Sequence, residues 1–164
     1  MAGLERVRFL VIDDNSHMLN IVKTILRGFG AVSIFEARDA SDAFSRLKNE
    51  SIDIVIVDFM MEVLDGVEFI QMVRNSTDSP NRYVPVIMLT AHSERSRVTQ
   101  ARDAGVNEFC AKPVTALELY RKINAIVSYP RPFIKTGSYF GPDRRRRHKP
   151  GYDGPERRKP EPID

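Results

Sequence analysis

Five side chains stand where apolar runs of the chain end. Asp13 and Asp14 follow residues 7–12, Asp58 closes residues 52–58, Thr90 lies at the end of residues 84–91, and Lys112 follows residues 106–111. Three carboxylates gathered at one edge repel one another, and they persist together only if a cation neutralises them or protons are held. An all-oxygen cluster with one open face suits Mg2+, which keeps several waters and takes a phosphoryl oxygen. A lysine opposite balances an incoming phosphoryl group, and a hydroxyl beside it can bind that group afterwards. These parts fit phosphoryl transfer onto a carboxylate, with Asp58 as nucleophile. Zinc chemistry does not fit, because His17, His92 and His148 are scattered and Cys110 is the sole cysteine.

The positioning elements are legible as alternation. Residues 7–12, 32–37, 52–58, 84–91 and 106–111 are short runs rich in branched residues, read as strands. Between them apolar residues recur at helical spacing. Met18, Leu19, Val22, Ile25 and Leu26 mark the first helix, and Asp39 or Ser41 caps the second. Val67, Phe69, Ile70 and Val73 mark the third, Ser93 starts the fourth, and residues 115–127 form the last. Five βα units with strands apolar on both faces predict an α/β fold, a doubly wound five-stranded parallel sheet. Ligand chemistry in such folds gathers at the carboxyl ends of the strands, where the five residues lie.

The motifs "VIDD" (11–14), "VIVDFMMEVLDG" (55–66), "IMLTA" (87–91) and "AKP" (111–113) resemble the receiver domain of two-component response regulators, the CheY-like, flavodoxin-like fold. The resemblance spans about residues 5–128. It implies that Asp58 accepts phosphoryl from a histidine kinase or phosphotransferase. It further implies that Asp13, Asp14, Asp58 and the Met60 carbonyl hold Mg2+, and that Lys112 bonds the phosphoryl oxygen next to a cis Lys112–Pro113 peptide. Thr90 and Phe109 form the switch, and partners dock beside it, on the face of the fourth and fifth helices. Two positions depart from the family. Glu62 stands where proline is usual, which makes that loop looser and more acidic. Phe109 lacks the hydroxyl of the frequent tyrosine, which favours an inward rotamer.

The chain changes character near residue 129. Residues 130–164 hold ten of the 25 Lys and Arg, five of the 22 Asp and Glu, and seven of the ten prolines. Residues 1–129 are therefore read as the receiver domain and 130–164 as an irregular, arginine-rich extension. The extension carries "YFGPDRRRR" (139–147) and a weaker copy, "YDGPERR" (152–158). Phosphate binding alone wants only cations. An acid before each arginine pair helps when the ligand also offers donors, as the guanine edge does. Asp143 and Glu156 are expected to read guanine edges. Arg144, Arg145, Arg146, Arg147, Arg157 and Arg158 bind phosphates and ring faces, and Tyr139 and Tyr152 stack. The extension resembles that of CheY-like cyclic di-GMP effectors, in which the receiver docks on the flagellar motor switch.

The expected function is thus a stand-alone response regulator, not an enzyme, which docks on a partner under control of cyclic di-GMP and aspartyl phosphorylation. The competing reading is a phosphorelay receiver with an idle or nonspecific nucleic-acid-binding tail. No run approaches the roughly 20 apolar residues of a membrane span, and a lone cysteine suits a reducing compartment, so a cytoplasmic location is expected.

Overall fold

The computed structural model describes residues 3–61, 65–91, 95–144 and 159–160. Five βα units follow in order: β1 (Arg8–Ile12), α1 (Ser16–Gly28), β2 (Ser33–Ala37), α2 (Ala40–Asn49), β3 (Ile54–Asp58), α3 (Gly66–Asn75), β4 (Val86–Ala91), α4 (Arg95–Ala104), β5 (Glu108–Lys112) and α5 (Ala116–Ser128). The strands form one parallel sheet in the order β2-β1-β3-β4-β5. The order reverses between β1 and β3, which opens a crevice at their carboxyl ends.

Strand alternation splits the core into two layers. Leu10, Ile12, Val55, Val57, Val86 and Met88 pack toward α2, α3 and α4 through Ala43, Leu47, Val67, Ile70, Val73 and Ala101. Phe9, Val11, Ile54, Ile56, Ile87 and Leu89 pack toward α1 and α5 through Leu19, Val22, Leu26, Leu119 and Ile123. Helix starts are capped by side chains that accept orphan N–H groups: Asn15 on α1, Asp39 on α2, Asp65 on α3 and Thr115 on α5. Each such cap is worth about 1 kcal/mol. Asp39, rather than Ser41, is the cap of α2. Ser93 lies outside the described residues.

The extension begins by folding back onto the receiver. β6 (Phe133–Lys135) lies between β7 (Phe140–Pro142) and β8 (Lys159–Pro160) in a small antiparallel sheet. Its prolines and glycines mark it as irregular in sequence. Pro142 and Pro160 fall on the outer strands of the small sheet, where a missing N–H is tolerated. Phe133, Ile134, Tyr139 and Phe140 are buried against the amino end of the main sheet. Phe133, Phe140 and Tyr83 form a ring cluster with centroids 5.4–5.5 Å apart. Gly141 is required there, because a β-carbon would come within 2.8 Å of the Gly105 Cα.

At the centre of this contact lies Arg74 of α3, fully buried. Its Nε donates to the Gly105 carbonyl (3.1 Å), one terminal nitrogen to the Arg82 carbonyl (2.8 Å), and the other to Asn107 Oδ1 (3.1 Å). Its guanidinium lies 4.9 Å from the Phe133 ring centroid. Burial pulls its pKa down to about 9, which leaves it charged at neutral pH.

Candidate functional site

Asp13 leaves the end of β1 with its N–H on the Ala37 carbonyl (3.1 Å), so the first two strands fix its backbone. Its Oδ1 accepts from the Asn15 N–H at 2.9 Å, while Oδ2 is buried without a partner. Asp58 is the last residue of β3 and also buried. The loop beyond it returns closely: the Gly66 N–H donates to the Phe59 carbonyl (2.9 Å), and a β-carbon on Gly66 would lie 2.5 Å from the Asp58 carbonyl oxygen. Only glycine permits that approach.

Asp13, Asp14 and Asp58 each bring one carboxylate oxygen within 4.8 Å of the others. Lys112, the last residue of β5, forms an ion pair with Asp58 across the crevice, and the Lys112–Pro113 peptide is cis. One lysine does not neutralise three acids. Burial pushes the Asp13 carboxyl up to about 6, opposed by the Asn15 N–H and reinforced by the Asp58 charge. Burial also raises Asp58, against the pull of Lys112 and with a further push from Asp14. A buried carboxylate oxygen without a partner, in a cluster short of positive charge, fits a divalent cation of oxygen preference. Asp13, Asp14 and Asp58 are the side chains that would hold it.

Thr90 is buried near the end of β4, with its hydroxyl 3.3 Å from the Ala91 carbonyl. Register places Thr90 opposite Ala111 and Met88 opposite Phe109. Phe109 is half-buried against the core layer of α2, α3 and α4. Met60 stands two residues beyond Asp58 and is exposed. Cys110 is buried and its thiol is pushed up to about 11 by desolvation, so it behaves as a small apolar side chain.

This edge pairs a buried, lysine-matched carboxylate with two further acids on a doubly wound sheet. The profile described as the response regulator receiver domain matches residues 9–124. The chain belongs to that family. The receiver is 34% identical over 122 residues to the chemotaxis protein CheY-3 of Vibrio cholerae, covering 74% of this chain and 92% of the relative. It is 34% identical over 120 residues to the chemotaxis protein CheY of Pseudomonas aeruginosa, covering 73% and 95%. Among solved structures, a putative response regulator from Chloroflexus aurantiacus superposes with a TM-score of 0.67 at 26% identity, covering 74% of this chain and 98% of that one. The receiver domain of a sensor histidine kinase from Pseudomonas aeruginosa, solved with magnesium coordinated in its active site cleft, gives 0.63 at 26% identity, covering 72% and 94%.

Of the residues expected to bind nucleotide, Tyr139, Asp143 and Arg144 are described, and they sit at the other end of the sheet from this receiver pocket. Tyr139 is buried, its hydroxyl donates to the Pro142 carbonyl (2.7 Å), and the Arg144 guanidinium lies 4.8 Å from its ring centroid. Its ring is therefore packed inward and is not an open stacking platform. The Asp143 N–H donates to the Pro132 carbonyl (2.8 Å), and its own carbonyl accepts from Arg131 (3.0 Å). Arg144 donates to Asp103 of α4 at 2.8 Å. Arg145, Arg146, Arg147, Tyr152, Glu156, Arg157, Arg158 and Glu62 lie outside the described residues.

Sequence reasoning missed Arg74, Asn107 and Arg131. Arg74 carries a readable signal, since it continues the buried stripe Val67, Ile70, Val73 of α3. Among the described residues no helix is long and apolar enough to cross a membrane.

Proposed function

We propose that this receiver accepts a phosphoryl group on Asp58 and signals by docking, with a guanine nucleotide bound by the extension as a second input. The observation that carries the phosphoryl reading is the buried Asp58 carboxylate paired with Lys112 beside the partnerless oxygen of Asp13. An Asp58 oxygen attacks phosphorus in line. The O–P bond forms as the N–P bond of a phosphohistidine donor breaks, and the imidazole nitrogen leaves with the electron pair. Lys112 stays beside the acceptor and balances the added charge. The Thr90 hydroxyl, on the strand next to Asp58, donates to a phosphoryl oxygen once the group is attached. Asp13, Asp14 and Asp58, with the Met60 carbonyl, would hold Mg2+, which when bound neutralises charge on the transferred oxygens.

The donor is a histidine kinase or phosphotransferase. Docking uses the face of α4, β5 and α5, next to Thr90 and Phe109. The chemotaxis relatives favour a flagellar switch component as partner. The acid-arginine repeat, on an extension with a net positive charge, favours cyclic di-GMP as the ligand of the second input.

Incubation with a labelled small phosphodonor tests the first part. Wild type incorporates label in Mg2+, and Asp58→Asn or chelation abolishes it; undiminished labelling of Asp58→Asn places the acceptor elsewhere. Calorimetry tests the second part. If Asp143 reads a guanine edge, Asp143→Ala loses roughly 1–3 kcal/mol of cyclic di-GMP binding, while binding to duplex DNA is unchanged or tighter. Tighter cyclic di-GMP binding by that variant would leave only an electrostatic strap.

A further inference from the structure

Near the end of α5, the extension encloses a cavity of about 160 Å³ against the amino end of β5. Its walls are mostly apolar, with Tyr83, Ile126 and Phe133 inside and the exposed Tyr129 at the rim. Phe133 is a rigid wall, because its ring is set among Tyr83 (5.4 Å), Phe140 (5.5 Å) and the Arg74 guanidinium (4.9 Å). Empty space between such walls forfeits the contacts that its lining would otherwise make, so an occupant is favoured. An apolar cavity of about 150 Å³ is large enough to hold a benzene ring.

The polar part of the lining is small. Asn107 is fully occupied: its Oδ1 accepts from Arg74 (3.1 Å) and from the Val86 N–H (2.9 Å), and its carbonyl accepts from Arg131. Arg131 is directed at the Asn107 and Asp143 carbonyls. Glu108 lines the same space and is 4% exposed. A carboxylate only accepts, at about four lone-pair sites, so it can take a donor from a guest beside its contacts within the protein. Glu108 disfavours an anionic guest and Arg131 a cationic one, since like charges brought together are costly. Apolar walls of this size with one buried acceptor select a flat, uncharged molecule of one or two rings with an N–H or O–H at its edge.

We propose that this cavity binds a small neutral aromatic molecule carrying one hydrogen-bond donor, and that the guest fastens the extension to the receiver. The lining comes from both sides: Glu108 of β5 with Ala125 and Ile126 of α5 from the receiver, and Arg131 and Phe133 from the extension. A guest that touches both is lost when the extension lifts, so occupancy stabilises the seated form by mass action. The site depends neither on the chemistry at Asp58 nor on the nucleotide reading.

Indole is the probe, and benzofuran, of the same shape without the donor, is its control. In calorimetry on the full chain, indole should bind with a Kd of about 0.1–1 mM, and benzofuran about 3–10-fold more weakly. Glu108→Gln should narrow that preference. Ala125→Leu fills the space and should weaken indole at least about 10-fold without lowering the Tm. In wild type, indole at ten times its Kd should slow hydrogen exchange of the Asp143 N–H, bonded to the Pro132 carbonyl, by about 10-fold. Absence of indole binding, or binding that a folded Ala125→Leu variant leaves intact, overturns the site. Equal binding of benzofuran overturns the role of Glu108, and unaltered exchange overturns the fastening. Should Ala125→Leu unfold, the exchange measurement in wild type still decides.

Discussion

At the carboxyl ends of β1 and β3, Asp13 keeps one buried oxygen without a partner. At the amino ends of β4 and β5, all three guanidinium nitrogens of Arg74 end on protein acceptors. Both ends of the same sheet bury a charge, with opposite bookkeeping. The acid end leaves its electrostatics incomplete, which suits a divalent cation of oxygen preference. The arginine end is closed by carbonyls, an amide and an aromatic ring, and a ligand has nothing left to satisfy. A perturbed ionisable group is therefore a sign of function only where its partners are missing.

The comparison is broken most strongly at Arg74. Arg74→Met keeps much of the side-chain volume but strands the Gly105, Arg82 and Asn107 acceptors, and should cost about 2–4 kcal/mol in urea unfolding. The Asp58 labelling rate of the folded variant should stay near that of wild type. A loss of less than 1 kcal/mol would mean that water replaces the guanidinium.

The acid end should respond with the opposite sign. Asp13 has its folded pKa raised, from 3.8 to about 6. Its contribution to stability is therefore fully present below the unfolded value and is lost as pH rises through about 6. Without divalent cation, Asp13→Asn should stabilise the protein by roughly 1–3 kcal/mol at pH 7, and by much less at pH 4. Millimolar Mg2+ should raise the Tm of wild type at pH 7, but that of Asp13→Asn far less. A wild-type Tm that is insensitive to Mg2+ would count against the cation site.

The smallest expected effect sharpens the contrast at the closed end. Tyr139→Phe removes one buried hydrogen bond to Pro142 and keeps the ring under Arg144. It should cost about 1 kcal/mol, read as a shift in urea midpoint at constant slope.

What was legible in the sequence follows from period and punctuation. The five strands and the two-faced core came from continuous apolar runs, and the pocket residues from acids and a lysine at the ends of those runs. The matching motifs made Asp58, Asp13, Asp14, Thr90 and Lys112 specific. The place of Arg74 on the buried stripe of α3 was readable, but what satisfies its charge was not, because its acceptors come from residues 82, 105 and 107, which only tertiary folding brings together. The seating of residues 131–144 was hidden for a related reason. Prolines, glycines and arginines dominate its composition, while its buried side chains Phe133, Ile134, Tyr139, Phe140 and Pro142 fit no long periodic pattern. Tyr139 illustrates the limit. Beside an arginine run it reads as a surface platform, yet its hydroxyl has a carbonyl to bond within three residues, and that bond lets the ring turn inward.

The contact between Gly105 and Gly141 bears on how this chain can be divided. The compositional boundary at residue 129 and the physical boundary do not coincide. A receiver cut at 129 would lose Phe133 and Phe140 from the floor of its own sheet and open Arg74 to water. The smallest unit that keeps this contact therefore ends past Pro142, and a foreign module grafted onto this protein would need to be joined beyond that residue to preserve it.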